Sequence, residues 1–436
     1  MAPWPPVRSG VADYAAEQAT ALAALADVER YAPSGASRAA AAGHDVLLVH
    51  VGNDPVHLPS VELLADGERR VPAVVLLHDF ALHHLFAAAF LDRGRERDYA
   101  RELARCHGEN GRALGERAVA GERYPVWDLE PWAFPMSRGV VSDATAVVVH
   151  SRLVRGAVLR EVPGVRVVEI PHHVVPAPRT DRGEARERLG LPAGRCVACS
   201  LGAVVPAKRL AKVLEALAAI PAGERPFLFV GGAVPDDDLL RSDVGRLGLS
   251  GDVLFSGYLE DDDFWLAASA ADLAVNLRFP TMGETSGAVC RLAGHGLPVV
   301  VSDVGWFAEL PDSFAVRVPV GSAEVDALAS VLARLASDPK ERARLSSHAA
   351  AWGEERRPER VAPSLLRILS EAASGASRAA ALSSRLALEL AALGVGTGVP
   401  GGSADRGPDA RLLLGVAGAA AGVLAQASDS LRWSGK

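Results

Sequence analysis

Nine short, unbroken apolar runs, each followed by a stretch of different periodicity, constrain this chain more than any other feature. The first four are HDVLLVHV from His44, PAVVLLHDF from Pro72, TAVVVHS from Thr145 and VRVVEIP from Val165. The other five are CVACSLG, FLFVGG from Phe227, VLFSGY from Val253, LAVNL from Leu273 and PVVVSD from Pro298. A strand with one wet face alternates apolar and polar residues, whereas these runs are continuous, as expected of strands covered on both faces. Between them lie stretches such as LAKVLEALAAI, whose leucines and alanines recur at helical spacing. Strand and helix in alternation predict an α/β fold with parallel sheets.

The 436 residues exceed what one hydrophobic core serves, and VVPAPRTDRGEA, rich in Pro and charge, reads as an interdomain linker. The expected organisation is two doubly wound, Rossmann-like domains facing across a cleft, spanning 1–176 and 177–355. A helical tail follows over 356–436, interrupted by a Gly/Pro-rich linker at 395–410. Whether the last helices return to the first domain is left open. Such a domain should begin with a buried strand, yet only Met1 to Trp4 precede the PPVRSG turn. The first strand therefore reads as truncated, pointing to a true start upstream of Met1 or to an altered sheet.

Acids outnumber bases 53 to 46, for a formal charge of −7, which gives no support to nucleic acid as a partner. Four cysteines do not make a disulfide framework. Cys196 and Cys199, three apart on a strand, point to opposite faces and read as buried structural thiols. MAPWPPVRSG is no signal peptide, and the run Leu412 to Ala425 is shorter than the ~18 residues of a membrane span. The expected location is the cytoplasm, with peripheral attachment to the inner membrane face left open.

Three segments invite chemistry. In NLRFPTMGETSGAVCRL a strand ends near Leu277, a loop carries Gly283, Glu284, Thr285, Ser286 and Gly287, and a helix begins. Its unpaired N–H groups favour a phosphate, although an ordinary capped helix accounts for the same residues. In LGAVVPAKRL, Gly202 ends a strand and Lys208 and Arg209 open a helix, where cations oppose the dipole unless an anion lies between them. A solvated basic pair is the competing reading. In VLLHDFALHHLF, His78 sits at a strand end, where open α/β sheets form their sites, while His83 and His84 fall on the next helix. HDxxxHH matches no standard metal-ligand spacing, so no metal is expected. The runs Asp236–Asp238 and Asp261–Asp263 precede helices and read as dipole-complementing caps. WDLEPWAF places Trp127 and Trp132 in one polar loop, either as a platform for an acceptor or as simple packing.

Taken in order, PPVRSGVADY, VGNDPVH, LLHDFALHH, VVVHS, LGAVVPAKRL, FSGYLEDDDFWLAASAADLAVNLR, PTMGETSG and VVVSDVGWFAELP resemble the retaining GT-B glycosyltransferases of family 4, in a bacterial subgroup. The resemblance runs from about Pro5 to Trp352. It implies transfer of a sugar from a UDP- or GDP-linked donor to an acceptor in polysaccharide, glycolipid or natural-product synthesis, without metal or cofactor. By the same resemblance Lys208 meets the diphosphate, His78 and Glu284 contact the transferred sugar, and Gly10 faces donor phosphate or acceptor. Tyr258 and Leu259 hold the nucleobase, and Gly202, Gly283, Thr285, Ser286, Gly287 and Glu309 complete the donor side.

The departures from the family pattern are specific. Ala203 stands where the family commonly has an arginine, leaving Arg209 to substitute for it. Arg291 stands where a second glutamate is usual, and a guanidinium cannot accept hydrogen bonds from ribose hydroxyls. A nucleotide-sugar epimerase of the same fold and a non-catalytic nucleotide-sugar binder are the alternative readings. Acceptor and oligomeric state are left unassigned.

Overall fold

The computed structural model describes residues 1–374 except 42, 67, 68, 70, 177 and 234–236. The expected linker at 395–410, the run at 412–425 and Asp236 lie outside the described residues. The first sheet holds β1 (Leu47–Val51), β2 (Ala73–Leu77), β3 (Ala146–Val149) and β4 (Val167–Glu169), all parallel, in the order β1-β2-β3-β4. The second holds β5 (Val197–Leu201), β6 (Phe227–Gly231), β7 (Val253–Gly257), β8 (Leu273–Asn276), β9 (Val299–Ser302) and β10 (Ala315–Val318), ordered β10-β9-β8-β5-β6-β7. Every pairing in it is parallel. The structure is thus the twin parallel-sheet architecture that the apolar runs predict.

Strand residues divide alternately between two cores, which explains why the runs are unbroken. Val49, Val51, Val75, Leu77, Val147 and Val149 point into one core, whereas Val74, Leu76, Ala146 and Val148 point into another. In the second sheet Val197, Cys199 and Leu201 face one way, and Ala198, Leu228, Val230 and Val275 the other. β10 is absent from the nine apolar runs. It is an edge strand only four residues long, and Arg317 interrupts its apolar pattern.

Among the helices that place the site, α1 (Gly10–Ala23), α2 (Arg152–Glu161), α3 (Leu210–Ala219), α4 (Asp261–Ala270) and α5 (Gly287–Gly294) each follow a strand or loop at the facing ends of the sheets. The last described helix, α6 (Pro358–Ala373), returns to the first sheet. There Val361, Leu365, Ile368 and Leu369 cover Val74, Leu76 and Val148 beside Tyr14 and Leu22 of α1. The front of the stretch read as a tail thus closes one face of the first domain.

Met1 and Ala2 lie beside β1 without forming a strand. The amino group of Met1 donates to Leu48 O, His50 N donates to Met1 O at 2.9 Å, and Ala2 N donates to Tyr31 O at 3.1 Å. A cavity of about 500 Å³ continues from Met1 between Gly43–Leu48, Val28–Tyr31 and the faces of α1 and α6. Burial of the Met1 ammonium pushes its pKa down to about 5.

Because Leu365 is fully buried between α6 and the sheet, Leu365→Ala should destabilise the protein by about 2–5 kcal/mol. A lowered thermal midpoint for the transition of the first domain checks this. An unchanged midpoint would show that α6 is not anchored there.

Candidate active site

The order β7-β6-β5-β8-β9-β10 reverses direction between β5 and β8, so the loops leaving those two strands diverge and open a crevice at their carboxyl ends. Both loops are segments singled out in the sequence. The β5 loop begins at Gly202 (φ +93°), where a Cβ would stand 3.0 Å from Lys208 Nζ. The absent side chain is what lets that ammonium tuck beneath the backbone.

Lys208 donates to Leu201 O at 3.2 Å and makes no ion pair among the described residues. Burial, and then the nearby charge of Arg278, push its pKa down to about 7. A desolvated cation without a counter-ion is costly, and an anion in the crevice would relieve that cost. Arg209 is placed differently. It occupies the left-handed region (φ +54°) at the start of α3 and gives a bidentate pair to the fully buried Glu324, its guanidinium 5.6 Å from the Phe279 ring. Its charge is thus met by Glu324, unlike that of Lys208.

The β8 loop is closed by its own glutamate. Glu284 accepts from Met282 N at 2.6 Å and Thr281 Oγ1 at 2.8 Å, and pairs with Arg278 at 3.0 Å. Ser286 then caps α5 by accepting from Val289 N, with Thr285 before it and Gly287 as the first helical residue. Gly283 (φ +82°) packs against the first domain, where a Cβ would come within 2.7 Å of Phe80. The two domains meet at this loop. Phe80 N and Ala81 N both donate to Met282 O, at 2.9 and 2.8 Å, and Trp132 Nε1 donates to Thr281 O at 2.7 Å. Trp132 therefore spans the interface with its ring against Phe80, whereas Trp127 packs toward His83 in the first core.

On the opposite wall His78 follows β2, and its Nε2 is hydrogen-bonded to His50 Nδ1 at 3.0 Å. Asp79 accepts from Asn53 N at 2.8 Å, and burial, then the charge of Glu284, raise its pKa to about 7. Lys208, Arg278, Glu284 and Asp79 thus form one electrostatically linked series across the cleft, with His78 beside Asp79 in the chain. Gly10, the first residue of α1 behind its Ser9 cap, has open space on its side-chain face.

Tyr258 is exposed at the rim with the Arg8 guanidinium 4.3 Å from its ring, and Arg8 pairs with Glu260 at 3.0 Å. Leu259 folds inward over Gly231. Arg291 on α5 reaches back to Glu17 of α1 at 2.9 Å and to Asp261 at 2.7 Å, stacked near Phe264 and Trp265. Glu309 crosses the domains as a helix cap, accepting from Arg152 N at 3.0 Å and Leu153 N at 2.7 Å at the start of α2. Sequence reasoning missed Glu17, His50, Asp79 and Arg278. A histidine in a buried strand and an aspartate beside a chosen histidine were the only signals available.

Burial also lowers the pKa values of His57, His83, His107, His150 and His295 to about 4, and of His50, His78 and His172 well below the usual value. The unfolded chain takes up these protons near pH 6.5, whereas the folded protein resists until about pH 4. The stability these groups provide is therefore full above pH 6.5 and falls from there toward pH 4. Thermal midpoints at pH 7.5, 6 and 5 should descend steadily. A flat profile would contradict the burial of these rings.

Residues 181–352 match the family described as Glycosyl transferases group 1. Sucrose-phosphate synthase from Thermosynechococcus elongatus superposes with a TM-score of 0.55 at 18% identity, over 78% of this chain and 76% of that one. HepE of Anabaena, solved with UDP-glucose, gives 0.55 at 18% identity over 77% and 82%. WaaG, a glycosyltransferase involved in lipopolysaccharide biosynthesis, gives 0.54 at 16% identity over 83% and 96%. No curated protein matches the chain significantly in sequence. These likenesses establish the GT-B fold, and the matched residues 181–352 form a domain of the group 1 glycosyltransferase type.

Proposed function

We propose that this chain transfers a sugar from a UDP- or GDP-linked donor to an acceptor with retention at the anomeric carbon, serving polysaccharide, glycolipid or natural-product assembly. The observation that carries this reading is Lys208, a half-buried cation without a counter-ion among the described residues, at the topological switch point of the second sheet. The diphosphate lies against Lys208, Gly202 and the start of α5, and the sugar lies between the 283–287 loop and His78. The base lies toward Tyr258 and Leu259. HepE, which shares the fold, was solved with UDP-glucose.

In this reading the bond between anomeric carbon and phosphate oxygen breaks heterolytically, and the electron pair leaves with the diphosphate. The acceptor oxygen attacks the same face and passes its proton to the departing phosphate. Lys208 and the N–H groups of α5 stabilise the charge that develops on the leaving group, acting where water is excluded. Glu284 orders the loop that presents the sugar, while Arg291, held by Glu17 and Asp261, closes the cleft beside the ribose. With the negative charge met by protein groups, the reaction proceeds without a resident metal. No helix among the described residues is long and apolar enough to cross a membrane. We place the enzyme in the cytoplasm, where nucleotide sugars are made, with attachment at the inner membrane face for a lipid-linked acceptor.

Lys208→Ala should lower transfer by about 10²–10³-fold while the circular dichroism spectrum is unchanged. Glu284→Ala should also reduce it, through loss of loop order. Near-wild-type turnover in Lys208→Ala would remove the basis of the assignment. Nucleotide binding without turnover on any acceptor would instead favour a non-catalytic binder, the reading to which the tied-up Glu284 and Arg291 lend some support.

Lys208 also makes a pH prediction. Free, it loses its proton near pH 7, but a bound diphosphate favours the ammonium and raises that value. Binding of UDP should therefore take up a proton above pH 7, and affinity should weaken by as much as about tenfold per pH unit there. Calorimetry at pH 7 and 8.5, in buffers of different ionisation enthalpy, measures both. Lys208→Arg should abolish the dependence.

A further inference from the structure

Every strand of the first sheet delivers a histidine toward the cleft. His50 lies on β1, His78 follows β2, His150 follows β3, and His172 and His173 follow β4. Tyr14 of α1 stands among them, its ring centroid between 4.1 Å (His173) and 6.1 Å (His50) from theirs. Only one pair of these imidazoles shares a hydrogen bond among the described residues: His50 Nδ1 with His78 Nε2, their rings stacked at 22° with centroids 5.3 Å apart.

A hydrogen bond between two neutral imidazoles needs an N–H on one and a lone pair on the other, so the two tautomers are fixed together. His50 has no freedom to turn away. It is buried on a strand, its backbone N–H donates to Met1 O, its backbone carbonyl accepts from His57 Nδ1 at 3.1 Å, and the Tyr14 ring lies beside its own. His78 has spent Nε2 on this bond, which leaves Nδ1 as its one nitrogen for a ligand. Whether Nδ1 offers a proton or a lone pair is decided by His50, which itself lies behind the cleft wall.

We propose that His50 is a positioning residue, holding His78 in one tautomer and one ring orientation so that Nδ1 meets a hydroxyl of the transferred sugar. This rests on the reading of His78 as part of the sugar subsite. His50 acts through His78, so its loss should slow the chemical step and leave the grip on the nucleotide intact.

The test uses the full chain, UDP-glucose hydrolysis in the absence of acceptor, UDP calorimetry, and ¹⁵N-histidine NMR. In the wild type, His78 should show the nitrogen shifts of a single tautomer. His50→Leu should lower kcat about 10–100-fold, leave UDP affinity within about twofold, and convert the His78 signals to a tautomer mixture. His50→Asn, whose side-chain amide replaces the partner near Nδ1, should recover a large part of the rate and the single tautomer. A tautomer mixture in the wild type overturns the proposal, as does His50→Leu with unchanged kcat and unchanged His78 shifts. Should no UDP-sugar be bound or hydrolysed by the wild type, the donor reading fails. The NMR comparison of wild type, Leu and Asn variants still decides whether His50 sets the state of His78.

Discussion

The loop between β8 and α5 is held by both domains at once, and the geometry of the cleft depends on it. Its Met282 carbonyl takes two N–H groups from the chain after β2, and its Thr281 carbonyl takes the Trp132 indole. From its own side Glu284 ties down Met282 N and Thr281 Oγ1. Backbone carbonyls bound from across an interface leave little room for sliding, since each lost bond strands a polar group. The same loop starts α5, so the contact that joins the domains also aims a helix N-terminus into the crevice. Glu309 repeats the arrangement at a second point, where a carboxylate from one domain caps a helix of the other.

Three cations near the cleft show how charge is partitioned. Arg209 is neutralised by buried Glu324, and Arg291 by Glu17 and Asp261. Among the described residues Lys208 has a backbone carbonyl as hydrogen-bond partner and no carboxylate in an ion pair. Guanidinium forks suit bidentate carboxylate pairing, which holds structure together, whereas a compact ammonium loses its proton when buried and regains it when an anion arrives. A net charge of −7 is no obstacle to an anionic ligand when one basic group stands in the crevice with no carboxylate paired to it among the described residues.

How much of this was legible in the sequence follows from how far apart the interacting residues lie. The sheets were readable because continuous apolar runs are a local consequence of two-sided burial, and β10 escaped because Arg317 breaks its run. The β5 and β8 loops were readable because strand, glycine and helix start are contiguous. The ion pair of Arg209 could not be seen in the sequence because its partner lies 115 residues away. No periodicity reveals that a buried Glu324 waits for it. The family resemblance placed Glu309 on the donor side, and the structure has it also capping α2, more than 150 residues earlier. Met1, in a stretch too short for a strand, nevertheless shares hydrogen bonds with β1, a pairing that propensity rules do not foresee.

The two walls of the cleft differ in kind, and the difference suits the proposed reaction. The second domain contributes the positive charge, at Lys208 and the start of α5, where a diphosphate becomes more negative as it leaves. The first domain contributes five imidazoles crowded about Tyr14, and burial holds His50, His78, His150 and His172 uncharged. Protonating one of these four would set a buried cation among the other rings, so burial keeps them neutral. A sugar whose anomeric carbon gains positive character during transfer would be repelled by a protonated wall, whereas neutral rings give it hydrogen bonds without that penalty. Burial of the histidines thus keeps the wall facing the sugar neutral, whereas Lys208, whose proton burial loosens, regains full charge when a phosphate comes to lie against it.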